Sequence, residues 1–396
     1  MDFQLSEVQE MLRNSVQKFV SDNYELPSRI EQQKKGIGYS EDHWKTFAQL
    51  GWLGLPFAEE YGGMGGDAVD IMVMMEEFGK GLVLEPFYPT VVLAGTAINA
   101  GASSAQKERL IPGIVAGEIK ATVGYAEEQS RYNLADVATS ARENGDSYII
   151  NGAKSMVANG ETANYYIISA RTAGDRTDDK GISLFLVSAD AEGVNGTHMK
   201  TVDGLRASEL TFDNVEVSKD DLIGDLNGGL EILKKVATNA ILALSAEAVG
   251  AMEVLYKDTI DYTAQRIQFD HPLAEFQTVK HRMVEMFTET EITRSMLYRA
   301  TMEVVDGHED AEIDVHALKF LVGKNGRFVG QNAVQLHGGM GQTEELRVGH
   351  YFIRLTVMDS LFGDTNHHLN HYSAKMPLPE ANDEAVQRPF RTAANL

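Results

Sequence analysis

The segment DSYIINGAKSMVANGETANYYIISART (146–172) alternates apolar and polar residues and is interrupted by Asn-Gly pairs. β-branched and aromatic residues at two-residue spacing are typical of strands, and Asn-Gly is typical of tight turns between antiparallel strands. The same pattern begins near Ala121 and continues to about Val217, in the runs ATVGYA, ISLFLVS and ELTFDNVEV. We therefore predict a middle domain over 121–227 that contains an antiparallel sheet.

The sequence on both sides of this block has the three- and four-residue spacing of helices. Near the N-terminus, Ser6 and Gln9 form the pattern of a capping box, and apolar residues recur at helical spacing from Phe3 to Val20. Long helical patterns resume at about Gly228 and are interrupted by QFDHPL and by HGGMGQ. This order predicts an α+β chain, and without βαβ alternation a Rossmann or barrel fold is not expected.

The length of 396 residues exceeds the usual size of a single core, so several domains are expected. We predict an N-terminal helical domain over 1–120, the middle β domain over 121–227 and a C-terminal helical domain over 228–375. The remaining segment, 376–396, is polar and contains proline, which predicts a mobile tail or an interface arm.

Composition excludes several classes of function. A formal net charge of -23 argues against nucleic acid as a partner, because phosphate binding needs a basic surface. The chain has no cysteine, which excludes disulfides, thiolate catalysis and cysteine metal sites. The first twenty residues lack the pattern of a signal peptide, and no apolar run approaches the ~20 residues that span a bilayer. We expect a cytoplasmic enzyme without membrane insertion.

Five segments, in order along the chain, resemble the acyl-CoA dehydrogenase family. They are LGWLGLPFAEEYGGMGG (50–66), QKERLIPGIVAGEIKATVGYAEE (106–128), DSYIINGAKSMVANG (146–160), RIQFDHPLAEFQ (266–277) and QLHGGMGQTEE (335–345). The resemblance implies a three-domain fold ending in a four-helix bundle, FAD as cofactor, α,β-desaturation of an acyl-CoA substrate, and an electron-transferring flavoprotein as acceptor. The stretch at 125–141 is most similar to small subunits of heteromeric dehydrogenases for pimeloyl-CoA or steroid-CoA, which implies a homologous partner subunit in a tetramer.

The resemblance also implies which residues bind the cofactor. In tetramers of this family one subunit holds the flavin ring, and another supplies an Arg, a Phe and a Gln-x-x-Gly-Gly turn to the adenosine diphosphate end. Arg266 and Phe269 match the first pair, while Gln335, Gly338 and Gly339 match the turn. A guanidinium can pair with pyrophosphate oxygens, and glycines let backbone N–H groups approach them closely.

The base that removes the Cα proton is missing from both places where the family carries it. The usual Glu position corresponds to Phe362, followed by Gly363 and Asp364, and the alternative position on the preceding long helix is Ala240. Asp364 is the nearest substitute and is our candidate catalytic base, with helix capping or a place beside the pyrophosphate as its alternative roles. For Glu247, two turns along the helix from Ala240, a structural role is favoured.

The contacts with the flavin ring are changed as well. Where the family has Trp-Ile-Thr, this chain has Met156, Val157 and Ala158, so the stacking ring and the threonine hydroxyl are lost. Ser130 is a candidate for replacing part of these contacts. The contacts that one subunit gives to another are therefore present, whereas those that it would make with its own flavin are eroded.

A possible metal site is suggested by three histidines near the C-terminus, namely His367, His368 and His371. Two of them are four residues apart on a predicted helix, but no Glu stands at the spacing of a metalloprotease. We predict no metal, and we expect these side chains to face solvent or to lie at a helix C-terminus.

The leading hypothesis is a subunit of a heteromeric dehydrogenase that completes the FAD site of its partner. A second is a self-sufficient homotetramer with a relocated base, Asp364. A third is a non-catalytic subunit that only stabilises a complex, and a flavin monooxygenase remains open because a fold does not fix a chemistry.

Overall fold

The computed structural model describes residues 4–376, so the tail predicted from 376 lies outside the description apart from Met376. Within the described residues, helices come first, strands follow, and long helices end the chain. The predicted α+β class is therefore confirmed. The boundaries of the three domains stay predictions, because the elements pack against one another continuously along the chain.

Six α-helices precede the sheet in the described chain. They are α1 (Glu7–Asn23), α2 (Leu26–Lys34), α3 (Glu41–Gln49), α4 (Ala68–Gly81), α5 (Gly95–Gly101) and α6 (Ser104–Val115). The predicted capping box of α1 is confirmed, since Gln9 N donates to Ser6 Oγ at 3.2 Å and Ser6 N donates to Gln9 Oε1 at 3.0 Å. A π-helical segment, Tyr88–Ala94, leads into α5.

Eight strands form the central sheet. They are β1 (Ala121–Gly124), β2 (Ser140–Asn144), β3 (Ser147–Ala158), β4 (Tyr165–Arg171), β5 (Ile182–Ser188), β6 (Val194–Lys200), β7 (Arg206–Ser218) and β8 (Leu222–Ile223). The order across the sheet is β6-β7-β3-β2-β4-β5-β8, with β1 beside β4. The predicted antiparallel sheet is confirmed in most of its pairings, but β1 and β2 each run parallel to β4, pairing Ala121 with Tyr165 and Ser140 with Arg171.

After the sheet come long helices joined by a short hairpin. The elements are α7 (Gly229–Gln265), β9 (Ile267–Gln268), β10 (His271–Pro272), α8 (Gln277–Val305), α9 (Ala311–His337), α10 (Val348–Ser360) and α11 (Thr365–Lys375). Helices α7 to α10 form the expected four-helix bundle, and α11 packs on α9. Of the described helices, α7 alone is long and apolar enough to cross a membrane, but 78% of its most apolar window is buried inside the protein, as in a core helix.

Two glycines let α4 and α7 cross at backbone contact. A Cβ atom on Gly79 would lie 2.0 Å from the carbonyl oxygen of Glu247, and one on Gly250 would lie 2.0 Å from that of Glu76. Neither glycine has a positive φ, so close approach, and not turn geometry, requires them here. The crossing fixes the N-terminal helices against the bundle.

A buried ion network joins the bundle to the sheet. The guanidinium of Arg354, on α10, donates from Nε and Nη2 to the two carboxylate oxygens of Glu247 at 2.7 and 2.8 Å. Its Nη1 donates to Asp203, in the loop between β6 and β7, at 2.7 Å. All three side chains are buried. The carboxylate of Glu247 therefore forms a structural ion pair with Arg354.

Candidate functional site

A cavity of about 1060 Å³ opens where the N-terminal helices, the sheet and the bundle meet. Its wall includes the apolar side chains of Ile71, Val91 and Leu242. Met156 and Phe362, at the positions predicted for flavin and base contacts, line the same space. A concave and largely apolar space of this size is the usual form of a small-molecule site.

An aromatic pair takes the position of the expected base. The ring of Phe362 stacks on that of Tyr125, with centroids 4.6 Å apart and planes 23° from parallel. The Tyr125 hydroxyl has no hydrogen-bond partner among the described residues, and burial raises the pKa of this phenol. Neither side chain can take a proton at neutral pH, so this aromatic pair does not supply the base.

A buried lysine, Lys319, binds the loop that carries Phe362. Lys319 Nζ donates to the carbonyl oxygens of Met358, Asp359 and Gly363 at 2.9, 3.0 and 2.9 Å. Burial lowers the pKa of Lys319 to about 8, while the carboxylate of Asp359 opposes this shift. A cation that binds carbonyls at a helix C-terminus stabilises that end, so Lys319 fixes the end of α10 and the loop together.

Three residues with a strained backbone border the cavity. Nine non-glycine residues in the described chain have a positive φ, and Arg131, Met156 and Phe362, with φ of 46, 52 and 55°, all line the cavity. Bulky residues rarely adopt this conformation, and such residues cluster at ligand sites. Met156 also lies at an irregularity in the pairing of β3 with β7, and its side chain is 52% exposed.

A buried ion pair between Lys154 and Glu127 stabilises the segment that follows β1. Lys154 Nζ donates to Glu127 at 2.6 Å and to Ser169 at 2.8 Å, and the backbone N–H of Ala138 also donates to Glu127. Burial favours the neutral acid, but Lys154 and these hydrogen bonds outweigh it and lower the pKa of Glu127 to about 2. Both groups are therefore charged at neutral pH.

Ser130 does not replace the lost flavin contacts. Its hydroxyl donates to the carbonyl oxygen of Glu127 at 2.9 Å and accepts from the Glu127 N–H at 3.0 Å. The side chain is buried within this turn, so the hydroxyl is not free for a ligand. The suggestion made from the sequence is corrected accordingly.

A histidine cluster forms part of the cavity wall. His368 Nε2 donates to the carbonyl oxygen of Phe362 at 3.0 Å, so its Nδ1 accepts from Nδ1 of His316 at 2.8 Å. The ring of His371 stacks on that of His316 at 5.0 Å, and His367 lies 4.4 Å from His371. Burial lowers the pKa of His316 to about 4 and that of His368 to about 3. His368 is buried, so the expectation that it faces solvent is wrong.

The candidate base Asp364 lies at the N-cap of α11. Its carboxylate accepts a hydrogen bond from the backbone N–H of His367 at 2.8 Å. Asp364 is not among the described residues that line the cavity. The capping role named as an alternative is therefore visible in the structure, and the role as a base stays a prediction.

A second surface lies at the far end of α7. The β9–β10 hairpin pairs Gln268 with His271, and Phe269 and Asp270 form its two-residue turn with φ of 55 and 64°. Positive φ at both central residues is what such a hairpin requires, but Phe is a strained choice there. The side chain of Phe269 is 84% exposed. At the base of the hairpin, exposed Arg266 makes no side-chain hydrogen bond or ion pair with the described residues.

The glycine turn lies at the same end of the bundle. The ring of His337, in the last turn of α9, stacks on Tyr262 of α7 at 4.3 Å, and Tyr262 lies one helical turn before Arg266. Gly338 has φ 61° and ψ −139°, a conformation that needs glycine. A Cβ atom on Gly338 or Gly339 would meet nothing within 4 Å, so both border open space.

We call Arg266, Phe269, Gln335, Gly338 and Gly339 the hairpin–turn surface. All five are exposed, and none lines the cavity in the described chain. An unpaired guanidinium beside open backbone suits a diphosphate, so this surface fits one end of a dinucleotide cofactor. The cavity fits a flavin ring less well, because Met156 and Ala158 offer neither a stacking ring nor a hydroxyl.

Family models for the three domains of the acyl-CoA dehydrogenases match this chain in order. The N-terminal model covers residues 6–118, the middle model 122–215 and the C-terminal model 227–376. The chain belongs to the acyl-CoA dehydrogenase family. The three-domain architecture of acyl-CoA dehydrogenases is thereby confirmed, together with the α+β class.

Individual acyl-CoA dehydrogenases resemble the chain over most of its length. The short-chain specific acyl-CoA dehydrogenase of Clostridium acetobutylicum is 29% identical over 88% of this chain and 92% of its own. Butyryl-CoA dehydrogenase from Megasphaera elsdenii superposes with a TM-score of 0.87 and 26% identity, covering 94% of this chain and 99% of that one. The steroid acyl-CoA dehydrogenase Tcur3481-Tcur3483, studied as a variant, gives 0.84 and 26%, covering 93% and 97%.

Membership of this family defines the cofactor and the type of reaction. Acyl-CoA dehydrogenases are FAD-dependent oxidoreductases that act on acyl-CoA thioesters, and the predicted cofactor and enzyme class are confirmed at this level. When bound, FAD supplies the hydride acceptor, while the protein binds and orients it. The substrate's acyl group and the oligomer are not defined by membership.

Two residues were not predicted from the sequence: Tyr125, in the cavity wall, and Lys319, which binds the loop that carries Phe362. Tyr125 was read as part of a strand, and nothing along the chain links it to Phe362. Lys319, in the apolar run ALKFLVG, carried the clearest signal, because a buried lysine needs partners for its charge. A lysine in such an apolar run predicts a buried cation that binds backbone carbonyl groups of a neighbouring loop.

Proposed function

We propose that this chain is a subunit of a heteromeric acyl-CoA dehydrogenase and that it completes the FAD site of a homologous partner. The observation that carries the proposal is an asymmetry between two parts of the chain. The hairpin–turn surface is exposed and complete, whereas the cavity has an aromatic pair at the position of the base. Gradual loss of function would not be expected to spare one half.

Desaturation needs a carboxylate positioned over Cα, because only a fixed base can take this weakly acidic proton. Phe362 cannot take it. The carboxylate of Glu247 is paired with Arg354 through two hydrogen bonds, and Asp364 caps α11. The base is therefore proposed to come from the partner, in whose own cavity the chemistry occurs.

The proposed contact surface is apolar around the hairpin. Several large apolar side chains are exposed on the hairpin and on α8, namely Ile267, Phe269, Phe276, Val284 and Phe287. The rings of Phe269 and Phe276 lie edge to face with centroids 6.3 Å apart, and exposed apolar patches mark sites of association. A partner subunit seated here would bring its FAD diphosphate to Arg266. Electrons would then pass from the partner's flavin to an electron-transferring flavoprotein.

The partner is expected to be a relative that has Glu at the base position and Trp-Ile-Thr beside the flavin. Co-expression of the two chains should give a complex that binds FAD and desaturates an acyl-CoA. In that complex, Arg266→Ala should weaken FAD binding by about tenfold or more, because a charge-assisted hydrogen bond is lost. FAD affinity is measured by flavin release on dilution.

Arg142→Ala is the matched control, since Arg142 is exposed on β2 and has no side-chain partner among the described residues. It should leave FAD affinity unchanged. If Arg266→Ala behaves like Arg142→Ala in a stable complex, the chain is a stabilising subunit that does not contact the cofactor, and the proposal is overturned.

A further inference from the structure

We propose that the histidine cluster of α9 and α11 is an acid-sensitive switch of the cavity wall. Uptake of protons by the cluster releases the loop that carries Phe362 and opens the cavity on that side. The inference does not rest on the proposed function, since it concerns contacts within this chain alone. It follows from the way in which two neutral imidazoles share one hydrogen bond and bind one loop.

The Phe362 loop, residues 361–364 between α10 and α11, lies directly against the cluster. His368 Nε2 donates to the carbonyl oxygen of Phe362 at 3.0 Å. Gly363 has φ of 116°, and a Cβ atom there would lie 2.4 Å from the same nitrogen, so the ring packs on bare backbone. The loop in turn places the ring of Phe362 on that of Tyr125, with centroids 4.6 Å apart. Displacement of His368 therefore frees the aromatic pair that forms this part of the wall.

The hydrogen bond between His316 and His368 tolerates one added proton but not two. The Nε2–H of His368 is used by the loop, so His368 Nδ1 accepts from the Nδ1–H of His316 at 2.8 Å. A first proton enters at Nε2 of His316, which lies 3.8 Å from the carboxylate of Glu312, and leaves this bond in place. A second proton enters at Nδ1 of His368, and two N–H donors then face each other. The rings have to separate, and His368 leaves the loop.

The groups around the two rings disfavour protonation. Burial, followed by the charge of Lys319, lowers the pKa of His368 to about 3, and burial lowers the pKa of His316 to about 4. Lys375 forms an ion pair with Glu312, which offsets the carboxylate beside His316. Both rings are therefore neutral at neutral pH. Other ionisable groups of the described chain act on the cluster or on its partners, namely His367, His371, Asp359, Asp364, Tyr132 and Lys234.

Acid favours the open wall. Opening exposes both rings to water and restores their ordinary pKa of about 6.5. Since closing lowers both pKa values, the closed wall is fully favoured above about pH 6.5, and this advantage falls as the pH drops toward about 4. The open wall binds two protons that the closed wall excludes. The equilibrium constant for opening should therefore rise by about hundredfold or more between about pH 7.5 and about pH 5.

Amide hydrogen exchange of the purified full chain, at about pH 7.5 and about pH 5, measures this opening. The N–H groups of Leu361 and His368 donate to the carbonyl oxygens of Met358 and Asp364, so they are protected while the wall is closed. After correction for the intrinsic pH dependence of exchange, they should lose about hundredfold in protection at the lower pH. At both pH values they should open at least about tenfold more often than α8, which reports unfolding of the whole chain.

Replacement of His316 and His368 together by Gln should remove the response of the loop. Glutamine keeps a side-chain N–H for the Phe362 carbonyl but takes up no proton, so protection should change by less than about threefold. His281→Gln, at an exposed histidine of α8 outside the cluster, is the matched control and should keep the full response.

The inference is overturned if protection of the loop does not depend on pH, or if the double variant responds as the unsubstituted chain does. It is also overturned if the loop and α8 open equally often, because the acid response then belongs to the whole chain. Should the double variant not fold, His316→Gln alone keeps the bond from His368 to the loop and should reduce the response by about tenfold or more. A full response in that variant overturns the inference as well.

None of these outcomes bears on the proposed function, since each is measured without a partner and without FAD.

Discussion

Phe362 stands at the position predicted for the catalytic base, and the proposed division of the site depends on this residue. Its identity could be read from the sequence, and so could the loss of a base at that position. Its stacking on Tyr125 could not, because the contact joins the end of β1 to a loop far along the chain. The burial of His368 was likewise invisible, since it depends on how α11 packs on α9.

Substitutions of Asp364 distinguish its role as a helix cap from a role as the catalytic base. Asn is as good an N-cap as Asp, so Asp364→Asn should keep the free energy of unfolding within about 0.5 kcal/mol, whereas Asp364→Ala should lose about 1 kcal/mol. Desaturation by the complex should be unchanged in both variants. Urea unfolding and an acyl-CoA assay measure the two effects. Loss of activity in a stable Asp364→Asn complex would identify Asp364 as the base.

At the scale of elements, local patterns predicted five strands of the sheet but missed β2, β6 and β8. The runs quoted from the sequence correspond to β1, β3, β4, β5 and β7. Strand β6 was missed because its sequence, VNGTHMK, is largely exposed and lacks alternating apolar residues. The parallel pairing of β1 depends on the chain returning across the sheet, which no local pattern records.

Two helical glycines should respond differently to replacement by alanine, because only Gly250 lies where α4 and α7 cross. Gly250→Ala would place a methyl group against the Glu76 carbonyl and should destabilise the protein by about 1–3 kcal/mol. Gly349→Ala, on α10, meets its nearest atom at 3.4 Å and should stabilise by about 0.5–1 kcal/mol. Urea unfolding measures both. Equal effects of the two substitutions would contradict the close crossing.

Packing of α11 on α9 should make stability depend on pH. The pKa values of His316 and His368 lie below the ordinary 6.5, at about 4 and about 3, because burial disfavours the charged rings. The unfolded chain therefore takes up these protons first, and stability that is complete above about pH 6.5 falls as the pH drops toward 4.

Urea unfolding between about pH 7 and pH 5 measures this dependence, above the range in which most carboxylates titrate. Replacing His316 and His368 together by Gln should remove their share of the slope, while burial also lowers the pKa values of His43, His350 and His367. His281→Gln, at an exposed histidine outside the cluster, should leave the slope as it is. A slope that the double substitution leaves unchanged would contradict the prediction.

For the whole molecule, the two half-sites have opposite fates. The hairpin–turn surface is exposed, while the cavity is lined by Phe362 and Met156 at the positions predicted for the base and for the flavin contacts. Sequence motifs predicted both conditions, because each depends on residues adjacent in the chain. They could not show that the two parts lie on separate surfaces, since that follows from how α7 runs from the cavity to the hairpin.

The most direct test of a divided site is the amount of flavin that the chain holds alone. The full chain, purified without a partner and saturated with FAD, should retain far less than one FAD per chain after gel filtration and should not desaturate an acyl-CoA. Mixing it with the partner should restore both. One FAD per lone chain, together with turnover of an acyl-CoA, would contradict the account.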